Sequence, residues 1–166
     1  TQMSILKDIL EVLKRHSVKH LVILNSHGGN SFVSIIRELT LDFPDMIISY
    51  MNWWTVCNAD EFFHEPGDHA GEMETSCMMY VAPELVLPLA EAGKGTGKSF
   101  RIEALGKKWA WTPRKWIYIS EDTGVGNPEF ANQDSGRRFL ECCIKRVAEY
   151  LKELSEINNE EELYEK

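Results

Sequence analysis

The chain has 166 residues, a formal net charge of −8 and the composition of an ordinary globular protein. Because the charge is negative and no basic stripe occurs, the sequence argues against a nucleic-acid-binding surface, and no apolar run is long enough to span a bilayer. The length predicts a single domain, placed at residues 1–157, followed by an acidic tail at 158–166 that we expect to be frayed.

Helical and strand patterns alternate through the first third of the chain. Apolar residues recur at helical spacing over residues 4–16, whereas short apolar runs at 19–24 and 46–50 are typical of buried strands. Between these runs lies an amphipathic segment, 31–41, for which Asn30 is a candidate N-cap. The order helix–strand–helix–strand predicts an α/β fold with a mainly parallel sheet.

The rest of the chain is less regular. The pattern predicts a helix over 69–81, with Asp68 as its N-cap, and the tryptophan-rich segment 109–118 suggests short strands or a hairpin. A glycine-rich turn at 124–128 precedes a long amphipathic helix over 134–154. For that helix we expect an inward apolar stripe made of Phe139, Ile144, Val147 and Leu151.

Four cysteines occur, at positions 57, 77, 142 and 143, without a CxxC zinc pattern. Neighbouring residues on a helix point to different sides, so the adjacent pair 142–143 does not suggest a disulfide framework. Buried, reduced thiols are the expectation, and no signal-peptide pattern is found. The sequence therefore predicts a cytoplasmic protein.

The first candidate site follows the first predicted strand. The apolar residues 21–24 run into the polar turn Asn25-Ser26-His27-Gly28-Gly29-Asn30. Ligands of open α/β sheets bind outside the carboxyl ends of strands, which makes His27 a candidate ligand. Two alternatives remain: the histidine can serve as a structural hydrogen-bonding group, or the glycine turn can form an anion-binding nest.

The second candidate site is the stretch Gly67–Ser76. On a helical wheel Glu74 falls within the apolar stripe and Glu72 on the opposite side, so we expect Glu74 to be buried. A buried carboxylate normally has a partner, which is often a cation or a basic side chain. With His69 nearby, histidine and carboxylate together suit a divalent metal.

Three segments of the chain resemble motifs of one family. Asn25–Asn30 resembles an NGHGGN motif, His69–Ser76 an HAGExETS motif, and Gly124–Pro128 the start of a GVxGDP segment. All three belong, in this order, to the creatininase (creatinine amidohydrolase) family. The chain is therefore identified as a member of that family, covering its carboxyl-terminal part, with the amino-terminal part of the domain expected to be missing.

The resemblance implies a three-layer α/β sandwich and a metal-dependent amidohydrolase. Such an enzyme hydrolyses a C–N bond of a cyclic or linear amide with metal-activated water. The implied cofactor is a divalent metal (Zn, Mn or Fe), two per full site, and the implied assembly is a homo-oligomer, a hexamer. Activity is expected to need metal ligands from the missing amino-terminal part. Creatinine is not the expected substrate, because Gly28 and Gly29 stand where creatininases carry larger residues, including a ligating carboxylate.

The resemblance also implies residue roles. His27 and Glu74 are expected metal ligands, and His69 and Glu74 the catalytic groups. Four other residues follow the two predicted strands and are expected to contact the substrate: Gly28, Gly29, Asn30 and Trp53. Two other functions stay open: a catalytically incomplete creatininase-like module for binding or assembly, and an anion-binding domain that uses the glycine turn.

Overall fold

The computed structural model describes residues 1–164, which fall into two compact units. The first unit comprises Thr1–Cys57 together with the chain from Cys143 onward, and the second comprises Asn58–Cys142. The single domain over 1–157 stays a prediction. Among the described residues, no helix combines the length and the apolar composition that a membrane span requires.

The first unit is built on two parallel strands. Its first four elements are α1 (Gln2–Arg15), β1 (His20–Asn25), α2 (Val33–Asp42) and β2 (Ile47–Asn52). The two strands pair in parallel along their whole length, with His20 opposite Ile47 and Asn25 opposite Asn52. This arrangement confirms the predicted helix–strand–helix–strand order and the α/β class with a parallel sheet.

The apolar stripes of α1 and α2 form the core of this unit. Leu10 of α1 and Leu39 of α2 are 0% and 1% exposed. Leu39 belongs to the stripe predicted for α2, whereas the stripe predicted for α1 is partly wrong, because Ile5, Ile9 and Val12 are 53%, 42% and 52% exposed. They pack with Phe43 and Met46, which follow α2. Partly buried side chains surround this core: Leu6, Leu13, Leu21, Ile35 and Ile48.

The start of α2 differs from the prediction. The helix begins at Val33 with Phe32 in the N-cap position, so Asn30 is not the cap. The Asn30 side chain instead donates a hydrogen bond to Asn25 Oδ1 at 3.0 Å. Asn30 lies three residues before the first helical residue, so it belongs to the preceding loop rather than to the cap.

Short helices and loops make up most of the second unit. They are α3 (Glu72–Val81), α4 (Glu103–Gly106) and α5 (Trp116–Ile119), with 3₁₀ turns at Ala59–Glu61, Pro83–Leu85 and Leu89–Glu91. The hairpin predicted around 109–118 is wrong. Backbone N–H groups there bond locally, Tyr118 to the carbonyl of Lys115 and Ser120 to that of Trp116, and so provide no ladder for a second strand.

The long final helix, α6 (Gln133–Glu156), is confirmed. Its predicted inward stripe is partly wrong: Phe139 is fully buried, whereas Ile144 and Leu151 are 66% and 45% exposed. Gly136 brings the start of α6 against α3, because a Cβ there would lie 2.0 Å from the backbone oxygen of Ser76. The rings of Phe62 and Phe63 pack edge-on against Phe139 in the same unit.

Two further sequence expectations need correction. Cys57 and Cys142 are disulfide-bonded, so the prediction that all four cysteines are reduced is wrong. Cys77 and Cys143 are buried free thiols, as predicted. The acidic tail contains a 3₁₀ helix at Glu160–Leu163, where the Glu162 carboxylate accepts the Asn158 N–H at 2.8 Å. The tail prediction for 165–166 lies outside the described residues.

Replacing Leu10 should test the core of the first unit. Leu10→Ala removes a side chain that is 0% exposed, and we expect a loss of about 3 kcal/mol in the free energy of unfolding. Ile5→Ala is the matched control on the same helix, because Ile5 is 53% exposed and should cost less than about 1 kcal/mol. Urea denaturation measures both, and equal losses would contradict this description of the core.

Candidate active site

A hydrogen-bonded cluster of amide side chains lies where β1 and β2 end. Asn25 is 3% exposed and donates to Asn52 Oδ1 at 2.7 Å and to the His27 carbonyl at 2.8 Å. Tyr50 donates its hydroxyl to the same Asn52 oxygen at 2.6 Å. The parallel register places Asn25 beside Asn52, so the two strand ends are tied together and the His27 turn is held at the edge of the sheet.

The imidazole of His27 is engaged within its own turn. The Gly29 N–H donates to His27 Nδ1 at 2.9 Å. A neutral imidazole has one unprotonated nitrogen, so Nδ1 as acceptor leaves the proton on Nε2. A metal bound to Nδ1 would displace the Gly29 N–H. A metal bound to Nε2 would require the imidazole proton to move to Nδ1, where it would face the Gly29 N–H, so that two donors would meet. Metal binding by His27 therefore requires this contact to open.

The same turn offers little to an anion. Besides the Gly29 N–H, the Asn30 N–H is also used, donating to the His27 carbonyl at 3.1 Å. An anion nest needs successive N–H groups that point outward together. The geometry therefore does not favour the anion-binding alternative for Gly28–Asn30.

Aromatic side chains lie beside this turn. A Cβ on Gly28 would meet the Trp54 ring at 3.8 Å, an ordinary contact distance. Trp53 and Trp54 are half-buried and stand edge to face, with ring centroids 6.3 Å apart. Trp53 is the first residue after β2. It is also the residue of this segment that we predicted from the sequence to contact the substrate.

The two glutamates of the second motif occupy the reverse of their predicted positions. Glu72 is 1% exposed, whereas the Glu74 side chain is 41% exposed, so the buried Glu74 predicted from the helical wheel is wrong. The wheel correctly groups Glu74 with Met78 and Val81, but that face of α3 points outward: Met78 and Val81 are 41% and 66% exposed. The buried Glu72 carboxylate accepts the Glu65 N–H at 2.8 Å, which compensates part of its desolvation.

His69 lies in an extended segment ahead of α3. Its backbone pairs with Val125 in an isolated antiparallel bridge, with N–H to oxygen distances of 2.9 and 2.8 Å in the two directions. The predicted N-cap Asp68 is not a cap, because α3 begins at Glu72 with Gly71 in the N-cap position. The Asp68 N–H donates to the Val125 oxygen as well. Two motifs distant in sequence, at 69–76 and 124–128, are thus joined through their backbones.

The side chain of His69 faces the Glu74 carboxylate. His69 Nδ1 and Glu74 Oε2 lie 3.9 Å apart, and both side chains are more than a third exposed. Glu74 Oε2 also accepts the Ala70 N–H at 2.7 Å, with Ala70 in the left-handed region at φ 51°. A carboxylate held in this way is an acceptor that can stabilise a protonated imidazole.

Two residues near His69 were missed by sequence reasoning. The Trp116 ring lies 5.0 Å from the imidazole, and the guanidinium of Arg114 lies 4.9 Å from the Trp116 ring. Arg114 also forms an ion pair with Asp68. No motif marks Arg114 and Trp116, since they follow His69 by more than forty residues and reach it only through the fold.

Glycine makes the join between the two motifs possible. Gly126 has φ 134°, and a Cβ on it would lie 2.7 Å from the Cα of Gly67 and 3.0 Å from that of Gly71. Contacts that short do not occur between real side chains and backbones, so only glycine allows the two segments to approach. This contact holds the bridge that positions His69.

The thiol of Cys143 is not suited to nucleophilic chemistry. Burial raises its pKa above the ordinary value, although the Cys57 backbone and the charge of Arg146 act in the opposite direction. A thiol with a raised pKa is a poor nucleophile near neutral pH.

The described residues do not assemble a metal centre by themselves. Within residues 1–164 no group of three or more histidine, cysteine, aspartate or glutamate side chains is arranged to hold an ion. The two predicted ligands also belong to different units, His27 to the first and Glu74 to the second. A divalent metal in a protein needs at least three such ligands for a stable site.

The comparisons with known proteins identify the class and then the family. A family model described as creatinine amidohydrolase matches residues 1–151. The chain is an α/β protein with hydrolase relatives, and it belongs to the creatininase family. It is 25% identical to the creatinine amidohydrolase of Pseudomonas putida over 165 residues, and 28% identical to a mycofactocin precursor peptide peptidase of Mycobacterium ulcerans (strain Agy99) over 139 residues.

These alignments cover 89% and 78% of this chain, but only 60% and 48% of the two relatives. The chain therefore spans about half to three fifths of their length. A crystal structure of a candidate creatinine amidohydrolase from Bacteroides fragilis NCTC 9343 superposes with a TM-score of 0.90 and 42% identity, covering 99% of this chain and 64% of that one. This match confirms the predicted creatininase-like fold.

Two solved creatininases, a mutant of Zn–Zn type and a Mn form, superpose with a TM-score of 0.67. Each alignment covers 91% of this chain and 62% of theirs, at 20% and 21% identity. At that identity the likeness concerns the fold alone.

Replacing Gly126 should test the backbone contact. Gly126→Ala puts a Cβ 2.7 Å from the Gly67 Cα at a φ of 134°, and we expect a loss of about 2 kcal/mol or more in the free energy of unfolding. Gly106→Ala is the control, because its Cβ would lie 3.8 Å from the Phe100 oxygen. A Gly126 variant as stable as the control, by urea denaturation, would contradict this role.

Proposed function

We propose that this chain forms part of a hydrolase that cleaves the C–N bond of a small cyclic or linear amide. The observation that carries the proposal is the His69–Glu74 pair, 3.9 Å apart and accessible, within a motif of a family whose relatives are hydrolases. Creatinine hydrolysis and peptide cleavage belong to the named relatives. The substrate of this chain is proposed here only as an amide.

The pair suits the proton transfers of amide hydrolysis. Water adds its oxygen to the carbonyl carbon, the C–N bond breaks, and the leaving nitrogen takes up a proton. We assign the transfer of this proton to His69: the imidazole takes it from the attacking water and then, as general acid, gives it to the leaving nitrogen. The Glu74 carboxylate stabilises the imidazolium before transfer, and its own hydrogen bond from Ala70 keeps it oriented.

The surroundings support an accessible but ordered imidazole. The backbone of His69 is held by Val125, and its ring rests near Trp116, so few orientations remain for the side chain. At the same time, more than a third of the side chain is exposed. A general acid must be accessible to its substrate, and it must already be oriented, so that ordering its side chain costs little entropy. The exposure and the contacts of His69 meet these two conditions.

A divalent metal, Zn, Mn or Fe, is proposed as the cofactor of the longer protein. Its support is the Zn and Mn forms of solved creatininases together with the histidine and carboxylate of the two motifs. The described residues do not fit a metal by themselves, because they contain no group of three ligands. His27 and Glu74 are therefore proposed as this chain's share, with two metals in the full site.

The remaining parts of the proposal concern the substrate contacts, the assembly and the location. Substrate contacts are proposed from the turn after β1 and from the first residue after β2, namely Gly28, Gly29, Asn30 and Trp53. The glycine turn offers backbone without side chains, and the half-buried indole offers a flat apolar wall. A small-molecule partner, a homo-oligomer and a cytoplasmic location complete the proposal. The disulfide-bonded Cys57 and Cys142 remove the reduced-thiol argument for that location.

Removing either member of the catalytic pair should lower turnover. In the protein that carries this chain at the length of its relatives, His69→Ala should reduce kcat for amide hydrolysis by about 10²–10⁴-fold, because the leaving nitrogen loses its proton donor. Glu74→Gln should reduce it less, since the imidazole remains. His16→Ala is the control, an exposed histidine just after α1. Unchanged kcat in both variants would exclude the proposed roles.

Metal content should depend on the first motif. Elemental analysis of the same protein should find divalent metal, and His27→Ala should lower its occupancy by about tenfold or more, because removal of one ligand weakens a site strongly. His16→Ala again serves as the control. A protein with neither bound metal nor amide hydrolysis would favour the alternative of a non-catalytic binding or assembly module.

A further inference from the structure

A cleft in the second unit lies outside all three family motifs except at its edge. It has a volume of about 730 Å³ and is lined by residues 98–101, 105–119 in part, and Asp68. Ligand sites for small molecules usually measure roughly 300–1,000 Å³. The cleft is thus large enough for a small organic molecule. It is not part of the hydrophobic core, and the proposed catalytic pair does not line it.

The walls of the cleft carry a strong excess of positive charge. Five cationic side chains line it, against the single carboxylate of Asp68: Lys98, Arg101, Lys108, Arg114 and Lys115. Arg114 is paired with Asp68, whereas the other four form no ion pair with any residue that the structure describes. In a chain of net charge −8 this is a local reversal of sign. Such a reversal attracts an anion to the cleft.

The cleft is also lined with apolar and aromatic surface. Phe100, Trp111 and Tyr118 contribute rings, and the Trp111 side chain is 84% exposed. A tryptophan so exposed buries little of its surface in the folded unit, so a ligand with a flat or apolar body gains by covering it. The combination of cations and rings is selective for an organic anion over a bare ion.

The cleft adjoins the proposed catalytic pair. Trp116 contacts both sides: its ring lies 5.0 Å from the His69 imidazole and 4.9 Å from the Arg114 guanidinium. Asp68, which precedes His69 in the chain, lines the cleft and pairs with the same Arg114. The lining residues Arg114 and Asp68 thus connect the cleft to His69, through the Trp116 ring and through the chain respectively.

We infer that this cleft binds the carboxylate end of the substrate, and that the substrate is an amide bearing a carboxylate on an apolar or aromatic body. The inference rests on the proposed function in naming the ligand an amide substrate, whereas binding of the anion does not require catalysis. Arginine and lysine side chains recognise carboxylates by charge-assisted hydrogen bonds. A cavity of this size in an acidic chain suits a single small anion rather than a polyanion.

Isothermal titration of the full chain with N-benzoylglycine tests the inference. N-benzoylglycinamide has the same body without the charge and should bind at least about tenfold more weakly, while phenyl phosphate tests the other common source of anionic charge. Lys98→Gln combined with Arg101→Gln should weaken binding of N-benzoylglycine by about tenfold. Equal binding of the acid and its amide, or tighter binding of phenyl phosphate, would overturn the carboxylate assignment.

The control variant removes the same charge elsewhere. Arg15→Gln combined with Lys152→Gln alters exposed cations of the first unit and should leave the dissociation constant within about twofold. If both double variants weaken binding equally, the effect is one of net charge and the cleft is not the site. Circular dichroism of each variant establishes that it is folded.

The outcomes for the cleft and for catalysis can be separated. Charge-dependent binding without any C–N hydrolysis in the longer protein would retain the cleft as an anion site and overturn the hydrolase proposal. Hydrolysis of neutral and carboxylate-bearing amides with the same kcat/KM, unaffected by the cleft variant, would retain the hydrolase and overturn the cleft. A rise in KM confined to the carboxylate substrate supports both.

Discussion

The candidate catalytic pair depends on one backbone contact, the close approach of Gly126 to Gly67 and Gly71. That approach lets Val125 form its two hydrogen bonds with His69. Any residue with a Cβ at position 126 would prevent the approach. Because the bridge fixes the backbone of His69, the imidazole needs only its own rotamer to face Glu74. The chemistry of the second motif is thus prepared by packing of the main chain rather than by side chains.

The two glutamates of α3 have different roles: Glu72 stabilises the fold, whereas Glu74 belongs to the candidate catalytic pair. Glu72 is buried and satisfies the N–H of Glu65, so its carboxylate ties the preceding loop to the first turn of the helix. Glu74 is half-exposed and remains within reach of His69.

The charge distribution adds a second constraint. The chain is acidic overall, yet the cleft beside Trp116 carries five cations and one carboxylate. In the first unit, polar groups at the strand ends are instead neutral amides that satisfy one another, as Asn25 and Asn52 do. The first unit thus presents an ordered, uncharged strand end, and the second unit presents charge. The proposed binding of an anion depends on this local excess of positive charge in the second unit.

The sequence alone determined the α/β class, α1, α2 and α6 to within a few residues, and the family, because periodicity and short motifs are local properties. It could not place Glu72 inside and Glu74 outside, because a helical wheel shows which residues share a face but not which face packs against the rest of the unit. Here the start of α6 packs against Ser76, on the Glu72 side of α3. Likewise, Trp116 and Arg114 joined His69 only in the tertiary structure. Burial and pairing are set by contacts distant in sequence, which no local pattern records.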